Sequence, residues 1–223
     1  MATKYLVSGG NGSWLHQSNW SLTSGGPSGT PQPTAGDDVI FDANSLNAPI
    51  TVGGSSGCLT VYMSGYTGTM TYSSTLNVGN SFEYSSGMTT AGSGTLLLGF
   101  NLSTPATTCV VKFNGVTHNA SLTFSNNNGT LCTYNITGDM NIMGTTAFAN
   151  SNLGGAGTKL SLAGSGRVLM NGSMTIFTNG NRWLGGSGGV TLHFVGSNSG
   201  VFQSGVNSYI FLNITFQKTG GTI

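Results

Sequence analysis

The sequence predicts an all-β chain wound into a parallel β-solenoid (β-helix) with an N-terminal cap. Three observations lead there. First, short apolar bursts at 59–63, 75–78, 122–124, 134–136, 140–143, 159–162, 174–177, 190–195 and 211–216 alternate with polar residues at period two. That period places one side chain inward and the next outward. Second, triplets such as Leu-Thr-Val, Leu-Asn-Val, Leu-Thr-Phe and Leu-Ser-Leu recur in near-interchangeable form, and such self-similarity marks a repeat architecture. Third, Gly, Asn and Ser turn clusters at 126–129, 164–166 and 185–189 punctuate the bursts, and no segment carries a sustained helical stripe. A β-sandwich is the competing architecture. The outward Thr, Ser and Asn suit hydrogen-bonded ladders between stacked coils, and the alternating charges of a solvated sandwich face are absent. The irregular spacing predicts coils of roughly 20–30 residues.

Two regions follow in order. Residues 1–50 hold two of the three Trp, four of the five Pro and three of the five acids. They read as the N-terminal cap or attachment module that an exposed solenoid end requires. Trp14 and Trp20 supply apolar area, and 37–42 reads as a first strand flanked by acids. Residues 51–223 read as the coils. The last, 211–223, has a turn at 218–222 and nothing to cover its edge. An open edge is an aggregation liability, so further chain or neighbouring subunits are expected to cover it, with a homotrimer as the expected arrangement.

Composition narrows the function. Only 5% of residues are charged and Gly contributes 37 of 223, against roughly 25% charged in an ordinary domain. Such a surface suits an inert, repetitive scaffold and serves acid–base catalysis poorly. Net charge is +1 without a basic stretch, so nucleic acid is not an expected partner. The densest apolar run, 96–98, is far too short to span a bilayer, and membrane insertion is not expected. Gly9 and Gly10 interrupt the N-terminus before a signal-peptide core forms, so no secretion address is expected. Cys58, Cys109 and Cys132 are odd in number and lack a CxxC spacing, which argues for buried free thiols rather than zinc or a disulfide framework. A disulfide between Cys109 and Cys132, about one coil apart, is the lesser reading.

Residues 5–14, with their glycine turn and Trp14, then Asn19-Trp20-Ser21, then 33–42 with Asp37, Asp38, Val39, Phe41 and Asp42, resemble a module that opens β-helical virion and surface proteins of bacteriophages and bacteria. The resemblance covers the N-terminal region, 1–50, and extends to the rest only in style. It implies a fibre-like or spike-like structural protein of a virion.

Each candidate for chemistry has a plainer alternative. Asp37, Asp38 and Asp42 form the one acidic cluster and are the calcium candidates; turn capping and backbone hydrogen bonding are the preferred reading. Residues 154–159 imitate a glycine-rich calcium repeat but carry Lys159 at the aspartate position, and 164–166 lacks the third glycine and helix of a nucleotide loop. No cofactor is expected. His16, His118 and His193 are far apart and read as surface or turn residues. Arg182 and Trp183 are the ligand-binding candidates, for an anion or a sugar, although a structural anchor is preferred for Trp183. Glycoside hydrolysis wants two carboxylates about 5–10 Å apart. Beyond residue 50 only Glu83 and Asp139 remain, two or three coils apart and so roughly 10–15 Å at the ~4.8 Å strand spacing.

The resulting expectation is a non-enzymatic virion component, a tail fibre, spike or other appendage, assembled in the host cytoplasm. Its partners are other virion proteins, further copies of itself and a cell-surface glycan. An exported adhesin or filament subunit at the cell surface is the first alternative, and a β-helical polysaccharide-degrading enzyme the second.

Overall fold

Apolar residues at every second position give each strand one side to bury, and parallel stacking lets successive coils bury theirs along a common interior. The computed structural model describes residues 1–223 apart from 8–10, 46, 48, 100–107, 127–131, 150–158, 177–181, 187–188, 197–201, 205–207, 212 and 220–223. At 159, 176, 182–186, 202–204, 208–211, 213 and 218 it describes backbone alone.

The chain is a parallel β-solenoid, and each winding visits three faces. The first face stacks Asp38–Phe41, Thr60–Met63, Phe82–Glu83, Thr108–Lys112, Cys132–Thr137, Lys159–Gly164, Arg182–Gly186 and Ser208–Phe211, all parallel. The second face stacks Ile50–Val52, Thr69–Tyr72 and Thr89–Gly92, and continues as Thr117–His118, Met140–Ile142, Arg167–Met170, Thr191–Gly196 and Asn213–Lys218. The third runs from Ser56–Cys58 through Thr75–Val78, Thr95–Leu98, Ser121–Ser125, Thr146–Ala149 and Met174–Ile176 to Phe202–Ser204. No α-helix occurs among the described residues, and the sandwich alternative is excluded by the parallel pairing. The burst at 211–216 proves to be two strands on two faces, Ser208–Phe211 and Asn213–Lys218.

The register sets the repeat. The pairing of Leu76 with Leu96 marks its shortest step and that of Phe82 with Val111 its longest; the other coil-to-coil registers fall within that span. Two of the three edges are irregular: between the first face and the second, eight residues separate Phe41 from Ile50 and two separate Thr137 from Met140. Between the third face and the first, one residue separates Cys58 from Thr60, six separate Ser125 from Cys132, and nine separate Leu98 from Thr108. The edge between the second and third faces stays at two or three residues as far as Met174. That edge is tight because backbones touch there. A Cβ on Gly144 would lie 2.3 Å from the Ala120 carbonyl oxygen, and one on Gly94 would lie 2.2 Å from that of Ser74.

The interior is a set of columns. Val78, Leu98, Phe124 and Phe148 lie in register on the third face and all are fully buried. The Phe124 and Phe148 rings stack with centroids 5.1 Å apart. Leu122, Phe124, Ile136, Leu160, Leu162, Leu192 and Phe194 are buried as their alternation predicts. Two residues that the period-two alternation places inward differ. Ile214 is only partly buried, and Phe216 is 51% exposed. Phe216 stacks one ring face on Phe194 at 5.1 Å, but its strand is the last of the second face among the described residues. The side chain of Ile176 lies outside them.

At the other end, Thr3–Leu6 joins the first face parallel to Asp38–Phe41 and pairs antiparallel with Trp20–Ser21. Trp14 and Trp20 are fully buried, meet edge to face at 5.0 Å and both lie 6.2 Å from Phe41. The Trp20 indole N–H donates to the Trp14 carbonyl at 2.8 Å. These rings close the interior over the first coil.

Two substitutions separate core filling from coil contact. Phe124→Ala is expected to cost about 3–5 kcal/mol in urea unfolding. Gly144→Ala, which adds one methyl against the preceding coil, is expected to cost about 1–3 kcal/mol. Gly36→Ala, with nothing within 4 Å of the added carbon, should stay within about 0.5 kcal/mol of the parent.

Candidate functional site

Outward positions on this solenoid are mostly Thr, Ser and Asn, and they form ladders. The Thr69 and Thr89 hydroxyls meet at 2.8 Å, the Asn141 amide donates to Thr117 Oγ1 at 3.1 Å, and Asn171 donates to Asn141 Oδ1 at 2.8 Å. The first face breaks the pattern. Tyr62 pairs with Glu83 and Glu83 with Lys112, so an aromatic, a carboxylate and an ammonium lie in one outward column. Tyr62 is 43% exposed. Glu83 Oε2 lies 3.5 Å from Lys112 Nζ, and its Oε1 accepts from Asn114 Nδ2 at 3.1 Å. That Asn114 amide also donates to the Tyr84 carbonyl at 2.8 Å. Asn114 sits at φ +48° in the turn before Gly115, a conformation Asn tolerates better than most residues, and this aims its amide back across the preceding coil. Tyr62, Ser64, Glu83, Ser85, Ser86 and Asn114 border a polar cleft of about 310 Å³.

Sequence reasoning weighed Glu83 only as a catalytic acid and missed Tyr62, Lys112 and Asn114. The available signal was Tyr62 itself, a large ring at an outward position where other coils place mostly small or polar residues.

The residues singled out from sequence are dispersed. Asp37 accepts from the Ala2 N–H at 2.8 Å and from the Thr34 N–H and hydroxyl at 3.1 and 2.9 Å. Burial pushes its carboxyl up, but these bonds outweigh that and hold it below the usual range. Asp38 accepts from the Thr60 hydroxyl. Asp42 accepts from Ser24 at 2.5 Å and from the Asn44 N–H at 2.9 Å. No group of three or more His, Cys, Asp or Glu gathers as a metal site among the described residues. Asp139 is paired with Arg167 of the next coil, whose Nε reaches it at 3.0 Å, and the guanidinium lowers its pKa. Glu83 and Asp139 belong to windings two apart. Cys58, Cys109 and Cys132 are free, buried thiols. Arg182 and Trp183 lie on a first-face strand, with Trp183 in register between Lys159 and Tyr209; their side chains lie outside the described residues, as does 154–158.

One histidine overturns expectation. His16 is exposed and caps a short 3₁₀ turn, but His118 is completely buried. Its Nε2–H donates to the Ser121 carbonyl at 3.1 Å, which leaves Nδ1 to accept from the Tyr84 hydroxyl at 2.8 Å. Tyr84 in turn accepts from Tyr72 at 2.7 Å. Phe113 closes the group at 5.6 Å from the imidazole. The polar chain fills the interior where the second-face ladder passes from Thr89–Gly92 to Thr117–His118. There the Thr90 hydroxyl bridges the coils, donating to the Thr117 carbonyl at 2.8 Å and accepting from the Asn119 N–H at 2.9 Å.

No family model matches the chain, and neither a curated protein nor a solved structure matches it significantly.

Burial lowers the His118 pKa from 6.5 to about 4, against the Ser121 bond, which raises it. Below 6.5 the unfolded chain therefore takes up a proton that the folded chain refuses. Stability is full above that pH and declines as pH falls towards 4, by on the order of 3 kcal/mol. Urea unfolding at pH 7 and pH 4 should show this loss, and His118→Gln should flatten it.

Proposed function

We propose that this chain is a non-enzymatic structural component of a bacteriophage virion. It forms part of a tail fibre, spike or other appendage and contributes to host attachment. The observation that carries the non-catalytic reading is the disposition of Glu83 and Asp139. They stand two coils apart, and each is already engaged by a cation, Lys112 or Arg167. A glycosidase needs two carboxylates converging on one bond. A parallel stack whose flanks are hydrogen-bonded ladders supports a rod that carries load. The virion assignment rests on the likeness of residues 5–42 to the opening module of β-helical virion proteins. In this reading the partners are other virion proteins and further copies of the chain, in a homotrimer, with a cell-surface glycan as receptor.

The decisive experiment is immunogold labelling, with an antibody to the recombinant chain, of particles and cells from the source culture. Label on particle appendages is the expected result. Label on the surface of particle-free cells contradicts it and favours the exported adhesin. Incubation of the purified protein with capsular or cell-wall polysaccharides should release no reducing ends or unsaturated sugars. Release that is abolished by Glu83→Gln or Asp139→Asn would instead establish an enzyme.

A further inference from the structure

The cleft beside Tyr62 has the chemistry of a small saccharide site. Large exposed side chains are scarce here. Apart from the Glu83–Lys112 pair, the outward positions of the first face whose side chains are described carry Asp38, Ile, Val, Thr, Asn, Ser or Ala, and Tyr62 alone among them presents an exposed ring. The ring is a flat apolar surface with a hydroxyl at its rim. Tyr62 makes no side-chain hydrogen bond among the described residues, so nothing internal accounts for its exposure. Beside it, in the same outward column, is Glu83, whose polar groups are held by their own partners. The Glu83 carboxylate is oriented by Asn114 on one oxygen and Lys112 on the other. Asn114 is itself tethered by its amide to the Tyr84 carbonyl, which leaves Oδ1 as an acceptor. The Ser64 and Ser86 hydroxyls add donors at the rim.

Charge decides which ligands fit. Glu83 and Lys112 neutralise one another, so the cleft offers a formally charged ligand no net attraction. A carboxylate beside an amide and hydroxyls suits the adjacent hydroxyl groups of a sugar, which donate and accept at once. An apolar ligand would leave these groups desolvated and unpaired. The cavity, about 310 Å³, is at the small end of the range for small-molecule sites and fits one ring better than an extended chain.

We infer that the Tyr62–Glu83–Asn114 cleft binds a neutral pyranose, with Tyr62 as the stacking platform and Glu83 and Asn114 as the hydroxyl-reading groups. This rests on the non-catalytic reading of the same face. A site this open binds weakly, in the millimolar range, and gains avidity only when several copies are presented together.

The test is an NMR titration of the ¹⁵N-labelled full chain with four neutral probes: the methyl pyranosides of glucose, galactose and mannose, and methyl 2-acetamido-2-deoxyglucopyranoside. Glucuronate and N-acetylneuraminate serve as anionic comparators. The expected result is saturable millimolar binding of at least one neutral probe, with shifts confined to the amides of Tyr62, Gly65, Ser86 and Asn114 and their neighbours. Tyr62→Ala should weaken it at least tenfold and Glu83→Gln several-fold, with melting temperatures close to the parent's. No saturable shift at these amides with any neutral probe overturns the inference. So does a preference for the anionic comparators, or binding that survives Tyr62→Ala. Conversion of a probe to free sugar, visible as new anomeric signals in the same tubes, would instead contradict the non-catalytic reading.

Discussion

Everything in this molecule depends on the backbone ladder between successive coils. A strand in a parallel stack directs its N–H and C=O groups along the axis, where only the coils on either side can satisfy them. Meeting that demand puts equivalent residues of neighbouring coils about 4.8 Å apart. Like then stacks on like. Apolar columns such as Val78, Leu98, Phe124 and Phe148 profit from this, and so do Thr and Asn, which hydrogen-bond to their own kind. Charges do not, because equal charges in adjacent rungs repel. The scarcity of charged residues, 5% of the chain, is thus a consequence of the register. Two charged pairs fit this register because the neighbouring rung supplies the opposite sign, Glu83 with Lys112 and Asp139 with Arg167.

The same constraint explains the glycines at one edge. Where the chain turns from the second face to the third, coils are so close that Ala120 and Gly144 leave no room for a Cβ between them. Between the third face and the first, the connections vary from one residue to nine, and length is accommodated there without disturbing the ladders. The repeat is therefore irregular in sequence but regular in space. The polar interior group of Tyr72, Tyr84 and His118 departs from this apolar filling. It is tolerated because its three side chains form a directed chain of hydrogen bonds ending on the Ser121 carbonyl.

The fold was legible because period-two alternation and recurring triplets report directly on the inward and outward sides of each strand. Leu122, Phe124, Leu160 and Leu192 follow that rule. The failures have physical causes. His118 looks like a surface residue in sequence because its partners, Tyr84 and Tyr72, lie on earlier coils, and only the coil spacing brings them together. Phe216 follows the inward parity of its strand, yet among the described residues a rung lies on one side of it alone. The burst at 211–216 spans strands of two faces, because Ser208–Phe211 and Asn213–Lys218 follow one another too closely for a turn signal in the sequence. The cleft was least legible. Tyr62, Glu83 and Asn114 converge only because the pairing of Tyr62 with Glu83 and of Glu83 with Lys112 places them in adjacent rungs, and no motif spans such distances.

The most direct test of this account is the set of backbone proton contacts between coils, measured by ¹⁵N- and ¹³C-edited NOE spectroscopy. The account predicts contacts between Leu96 and Leu122, Leu122 and Thr146, and Met140 and Val168. At each such pair both strands advance together, so the sequence separation stays constant along the pair. Contacts whose separation shrinks steadily towards a hairpin turn would mean antiparallel pairing and would contradict it.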